Sequence, residues 1–382
     1  MRKNVLFVIE SLGGGGAEKV LTTLLKHLDK SKYNITLCII TNTGKYIDEV
    51  KPYVNYTSVM TPPHNQTIFN KIWYTIKYKL VYKILPISLI YKLFIPKGND
   101  IEIAFCEGFT TKLISKSSNK KAKKIAWVHI DLKQNPWPQK LGIYRNIEEE
   151  ILTYSKFNSI IAVSNTVKQS FKEVYGQADK TITIYNPIDI HDIKQRGKEN
   201  INGYNKSVMN LVTVGRLVPQ KGYDILLQIV ARLKNEGYKF VLRILGEGTD
   251  REELLRYKEQ NGLQGYVELI GFKKNPYPYI ANSDLFVCSS RSEGYSLVIA
   301  ESLVLGIPVL STYCSGPNEL LDEGKYGKLV KNDDDGNGLY EGLKQFLNNK
   351  RLLEIYRQKA IERGSFFSLT NVLNEVEKIL NQ

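Results

Sequence analysis

The run NLVTVGRLVPQKGYDILLQIVARLKNEGYKFVLRIL, Asn210–Leu245, decides the fold. Residues 210–215 are a short apolar stretch rich in β-branched side chains, 222–235 carry apolar residues at helical spacing, and 239–245 are apolar again. A buried strand, a helix and a second buried strand in that order make a parallel pair joined by a right-handed crossover. Outward from there the alternation continues. Strands are expected at 266–271, 284–289, 307–312 and 327–330, helices at 250–261, 296–305 and 316–322, and a helical tail over 336–380. Toward the N-terminus, strands at 5–9, 35–40, 101–105, 124–129, 159–163 and 181–185, with an amphipathic helix at 17–28, repeat the rhythm. The pattern thus occurs twice in an α/β chain. It predicts two Rossmann-like domains facing across a cleft. The expected boundaries are 1–190 for the first domain, 191–207 for a polar linker, 208–365 for the second domain and 366–382 for the last helix.

The length of 382 residues suits two cores, and 42% hydrophobic with 24% charged residues is a soluble globular composition. It excludes disordered, collagenous and disulfide-scaffold chains. Cys38, Cys106, Cys288 and Cys314 lie far apart without a CxxC, which points to a reducing compartment and no metal knuckle. The opening MRKNVLFVIE meets Glu10 after five apolar residues, so it reads as a strand rather than a signal peptide, and no stretch reaches membrane-spanning length.

The net charge is +14, and it is unevenly placed: residues 1–190 hold 27 basic and 15 acidic side chains, residues 191–382 hold 26 and 24. Such a balance calls for an anionic partner. Between Val50 and Asp100 there are seven lysines and no acid. Within that window, Ile68–Lys97 places Phe69, Ile72, Trp73, Ile76, Leu80 and Ile84 at helical spacing. Lys71, Lys77, Lys79 and Lys83 interleave, and Tyr74, Tyr78 and Tyr82 form a flank until Pro86. A core-facing helix with a solvated lysine face is the ordinary reading; the lack of any acid favours docking on an anionic membrane surface. No nucleic-acid-binding pattern is present, so nucleic acid is not an expected partner.

Four motifs carry chemistry. Gly13–Gly16 between the first strand and helix lets backbone amides approach a phosphate, but the spacing is not that of a dinucleotide fingerprint or a P-loop. Gly215-Arg216 followed by Lys221-Gly222 puts two cations at a strand end, suited to clamping a diphosphate. In SRSEGYSLVIAESLVLGIPVL, Ser290–Leu310, Glu293 precedes a turn, Gly294, Tyr295, Ser296 and Leu297 lead into a helix, and Glu301 follows within it. An acid, free helix-start amides and a second acid can hold sugar hydroxyls, phosphate and ribose in sequence. His129 ends a strand, where it can bind a sugar hydroxyl or steady positive charge. No cluster has metal-ligand spacing.

Together with Val163-Ser164, Asn186–Asp189, Gly246-Glu247-Gly248 and Ser283-Asp284, these residues resemble the retaining glycosyltransferases of family 4, which implies the two-domain GT-B fold with the C-terminal helix packing back on the first domain. The resemblance spans almost the whole chain and is strongest over 209–330, where the two glutamates form an E-x7-E signature. It implies that Arg216 and Lys221 neutralise a leaving diphosphate, helped by the amides of Gly294–Leu297 and the turn at Gly15 and Gly16. It further implies that Glu293 contacts the donor sugar, Glu301 the nucleotide ribose, and His129 the reacting sugar. The implied reaction moves a hexose or N-acetylhexosamine from a nucleotide diphosphate sugar, a UDP-sugar before GDP-mannose, to a lipid-linked or oligosaccharide acceptor. It needs no metal or other cofactor and takes place in the cytoplasm at the inner face of the membrane. Ser315–Glu319 replaces a Gly-Gly-x-x-Glu run, Asn186-Pro187 replaces Asn-Gly and Cys288 stands where proline is frequent, which leaves donor identity open. A nucleotide-sugar epimerase or phosphorylase on the same fold and a non-catalytic membrane-surface module are the alternatives; only the module makes Glu293 and Arg216 dispensable.

Overall fold

The computed structural model describes residues 2–63, 67–205 and 207–382. The chain forms two compact units, Met1–Pro187 with Thr370–Gln382, and Ile188–Leu369. In the first, β1 (Lys3–Ile9), β2 (Tyr33–Thr41), β3 (Asn55–Met60), β4 (Ile101–Ala104), β5 (Lys123–Val128), β6 (Ser159–Ala162) and β7 (Thr181–Thr183) make one sheet. Its order is β3-β2-β1-β4-β5-β6-β7, and every pair is parallel. The strand order reverses between β1 and β4, so the crevice outside the carboxyl ends of these two strands is the topological switch point. β3 escapes the sequence pattern because NYTSVM is an edge strand in which only Val59 and Met60 are buried.

In the second unit, β8 (Met209–Val214), β9 (Phe240–Leu245), β10 (Val267–Gly271), β11 (Leu285–Cys288), β12 (Val309–Thr312) and β13 (Lys328–Val330) follow the order β10-β9-β8-β11-β12-β13. These pairs too are all parallel, and the switch point lies between β8 and β11. Leu211, Leu226, Leu227, Val230, Leu242, Val287, Leu310 and Leu343 meet in its core. The expected α/β architecture with two Rossmann-like sheets is therefore present.

One segment differs from expectation. The stretch expected as a linker opens with the helix Ile190–Arg196, capped by Asp189, and already belongs to the second unit. One residue of that stretch, 206, lies outside the described residues. The tail is three helices, Asn337–Asn348, Lys350–Gly364 and Leu369–Asn381. The last lies under the amino ends of the first sheet's strands: Lys3 Nζ donates to Leu380 O (2.9 Å), Lys123 Nζ to Ile379 O (2.7 Å), and Lys32 pairs with Glu377. The basic window forms a helix, Ile68–Lys79, continued by a single π-helical turn, Leu80–Ile84, that ends before Pro86. Its apolar stripe faces solvent rather than a core: Phe69 is 77% exposed, Trp73 63% and Ile84 64%.

Candidate functional site

The second unit gathers most of the residues singled out in the sequence. β8 ends at Val214, and Gly215-Arg216-Leu217 turns away against the parallel end of β9. There a Cβ on Gly246 would lie 1.8 Å from Gly215 O and one on Gly248 2.0 Å from Leu217 O. Two glycines thus permit the backbone contact that seats Arg216, whose side chain is exposed and has no ion pair among the described residues. Gly222, at φ +64°, starts the next helix where any Cβ would strike Ser289 O at 2.2 Å. That close approach carries Lys221 to the end of β11.

There Lys221 Nζ lies 2.5 Å from Glu293 Oε1, and the Ser290 hydroxyl donates to the same oxygen at 2.7 Å. Glu293 is buried, with 7% exposure, and Lys221 is mostly buried. Burial draws the Lys221 ammonium down, but the Glu293 charge outweighs it, and the pKa stands above the ordinary lysine value. Lys221 is therefore a paired cation rather than the free one the spacing suggested. The loop is fastened around this pair. Ser289 Oγ donates to Lys221 O (2.8 Å), Gln220 Nε2 to Ser292 O (2.8 Å), and Arg291 makes a bidentate pair with Asp224 at 2.9 and 2.7 Å. Thr213, Lys221, Tyr223, Cys288, Ser290, Glu293 and Val298 line a small cavity at this point. Ser290 was not singled out in the sequence; its place one turn-length before Glu293 was the available signal.

Ser296 caps the helix Leu297–Val304 without a side-chain cap bond, and its buried hydroxyl has no hydrogen-bond partner among the described residues. A buried orphan hydroxyl at a helix start is a group waiting for an acceptor. Tyr295 and Leu297 are buried beside it, and Gly316 fits because a Cβ there would lie 2.7 Å from Gly294 O. Gly316 is the retained glycine of the altered Ser315–Glu319 run. Glu301 is buried in the helix at 2% exposure.

Gly15, Gly16 and His129 belong to the first unit. Gly15 caps the helix Gly16–His27, and a Cβ there would meet the Glu18 carboxylate at 2.5 Å. The Glu18 carboxylate thus sits at this helix start, beside the glycine turn. His129 lies just past β5. Its Nε2 lies 2.8 Å from Phe105 O, which requires a proton on Nε2 and leaves Nδ1 as the acceptor. The ring stacks on Trp127 at 8°, and burial lowers its pKa to about 3. The imidazole is neutral at pH 7 and can accept from a sugar hydroxyl; it supplies no positive charge. Glu107, also missed in the sequence, holds this turn by accepting the backbone amides of His129 and Ile130.

A stability effect follows. Between pH 6.5 and 3 the unfolded chain protonates this histidine and the folded chain does not, so its contribution is complete above 6.5 and is lost as pH falls. Relative to His129→Asn, the wild type should lose stability on acidification by at most about 1.4 kcal/mol per pH unit in that window. Burial holds Glu107 up to about 7, which acts in the opposite sense below pH 7, but both proteins share it. Thermal melts of the pair at pH 7 and 5 check the sign.

Residues 14–192 match the family described as Glycosyltransferase Family 4, and 194–363 that described as Glycosyl transferases group 1. The N-acetylgalactosamine-N,N'-diacetylbacillosaminyl-diphospho-undecaprenol 4-alpha-N-acetylgalactosaminyltransferase of Campylobacter jejuni is 30% identical over the full length of both chains. Among solved structures, Anabaena HepE in complex with UDP and glucose aligns with TM-score 0.75 at 18% identity over 99% of each chain. The Thermosynechococcus elongatus sucrose-phosphate synthase aligns with TM-score 0.76 at 13% identity, over 100% of this chain and 99% of that one. The chain belongs to glycosyltransferase family 4 and has the GT-B fold. It is a glycosyltransferase, an enzyme that transfers sugar.

Proposed function

We propose that the protein is a retaining, metal-independent transferase that moves a hexose or N-acetylhexosamine from a UDP-sugar to a lipid-linked glycan. The observation that carries this reading is the Lys221–Glu293–Ser290 cluster beside the exposed Arg216, at the carboxyl ends of β8 and β11. Glycosyl transfer builds positive charge on the sugar and negative charge on the departing diphosphate. Arg216 and Lys221 supply the charge that stabilises the diphosphate, and the Ser296 hydroxyl with the amides of Gly294–Leu297 donates to it. Glu293, held through one oxygen by two donors, binds donor-sugar hydroxyls instead of attacking carbon, and Glu301 receives the ribose. His129 accepts from a hydroxyl of the reacting sugar; for Gly15 and Gly16 the role stays the one that the resemblance implies. No cofactor is required by this scheme, because fixed cations meet the charge.

Two of the comparisons support this choice of donor nucleotide and acceptor class. HepE was solved with UDP and glucose, and the Campylobacter relative is named for a diphospho-undecaprenol acceptor. A panel of UDP-N-acetylgalactosamine, UDP-N-acetylglucosamine, UDP-glucose, UDP-galactose and GDP-mannose tests the reading by thermal stabilisation and nucleotide release in EDTA. A UDP-sugar should stabilise the protein and be turned over with chelator present. Stabilisation by none of them, or release restored only by Mn²⁺ or Mg²⁺, contradicts it.

We further propose that the enzyme docks peripherally on the anionic inner face of the cell membrane through Ile68–Ile84. No helix among the described residues is long and apolar enough to cross a membrane. The solvent-facing stripe of Ile68, Phe69, Ile72, Trp73 and Ile76, flanked by the exposed Lys71, Lys79 and Lys83, fits the headgroup boundary of an acidic leaflet. Each lysine there contributes about 1 kcal/mol. Changing Lys71, Lys77, Lys79 and Lys83 to Glu should abolish co-sedimentation with phosphatidylglycerol vesicles, and salt should weaken the wild type's binding. Equal pelleting of the two proteins would refute docking by this helix.

A further inference from the structure

Within the tyrosine flank of the basic helix, Tyr78 is exposed and Tyr82 is half-buried. Tyr82 lies in the π-helical turn Leu80–Ile84, a local geometry that costs regular hydrogen bonding and recurs at functional sites. Its ring packs on Phe109, which begins the helix following β4, with centroids 4.6 Å apart, and Tyr78 packs on Tyr82 at 4.7 Å. Glu10 is the first residue past β1, and its carbonyl accepts Thr41 N at 2.8 Å. Its charge is felt at the Tyr82 hydroxyl, whose pKa is raised by burial first and by Glu10 next, with the Thr41 side chain acting the other way. The tyrosine pair and Glu10 therefore stand over the ends of β1 and β4, at the switch point where a sheet of this order takes its ligand.

Glu10 forms no hydrogen bond or ion pair through its carboxylate among the described residues, although it is half-buried. A carboxylate that gives up water without a partner needs a reason. From this juxtaposition we infer that Glu10, Tyr78 and Tyr82 form a pyranose-binding subsite in the first unit. The carboxylate accepts from adjacent sugar hydroxyls and the tyrosine rings cover a C–H face of the ring. Burial holds the Glu10 carboxyl up to about 7, consistent with a site that is dry enough to make such bonds strong. If the sugar is that of the acceptor glycan, which rests on the function proposed above, this subsite selects the acceptor.

The test uses the full chain with p-nitrophenyl α-N-acetylgalactosaminide as probe and has two arms. In the first, saturation-transfer difference NMR should show the pyranoside C–H protons receiving magnetisation from the wild type. The signal should be lost in Glu10→Gln and in Tyr82→Ala, both with unchanged far-ultraviolet dichroism. No transfer to the wild type, or equal transfer to all three proteins, overturns the subsite. In the second, with UDP-N-acetylgalactosamine as donor, Glu10→Gln should raise the KM for the probe by about tenfold or more. kcat, the donor KM and acceptor-independent UDP release should stay within about twofold. A changed kcat with an unchanged probe KM overturns the assignment to acceptor binding. Binding in the first arm without turnover in the second would leave the subsite standing and refute the acceptor reading.

Discussion

Arg216→Ala lowers turnover by roughly a hundredfold or more, the size expected when one donor that stabilises developing charge is removed. The fold should not notice. Arg216 is exposed, and the backbone that seats it is held by glycines on both sides rather than by its own side chain. The melting temperature should therefore match the wild type within a degree or so, as for most surface substitutions. The loss should fall mainly on kcat, because the diphosphate carries more negative charge on departure than when joined to the sugar. Steady-state kinetics with a UDP-sugar, beside a thermal melt, check both halves. Turnover at the wild-type level would remove Arg216 from the mechanism.

Lys221 should behave differently, and the contrast is informative. Lys221→Met leaves Glu293 buried with only Ser290 as partner, and removing one member of a buried pair costs about 3–5 kcal/mol. Turnover and stability should fall together. Adding Glu293→Gln removes the stranded charge, so the double variant should recover most of the stability while its turnover stays at least about a hundredfold below the wild type. Chemical denaturation of the two single variants, the double variant and the wild type gives the coupling energy. Recovery of activity with stability would mean that the pair serves folding alone.

The parts of this molecule written in contiguous residues were legible in the sequence. Central parallel strands are buried on both faces and read as apolar runs, so β1, β8 and β11 were plain, whereas the polar edge strand β3 was not. Glu293 and Glu301 were found because eight residues of strand-end turn and helix fix their separation. The pairing of Lys221 with Glu293 joins residues 72 apart and depends on Gly222 approaching Ser289, which no local pattern reveals. The charge state of His129 was likewise hidden: it follows from a carbonyl 24 positions away and from ring packing. The helix of the basic window was visible, but its orientation was not, because an apolar stripe reads the same whether it meets a core or solvent.

The central claim is that this chain transfers sugar from a UDP-sugar with retention, using its own cations. It is tested most directly by proton NMR of a single reaction in EDTA, with phosphatidylglycerol vesicles carrying an undecaprenyl-diphosphate-linked N-acetylhexosamine acceptor and the UDP-sugar chosen from the donor panel. The account predicts a new anomeric signal with the small coupling of an α-linkage, growing in step with free UDP and absent with Arg216→Ala. A β-linked product, or a wild type that releases no UDP until a divalent metal is restored, would contradict it.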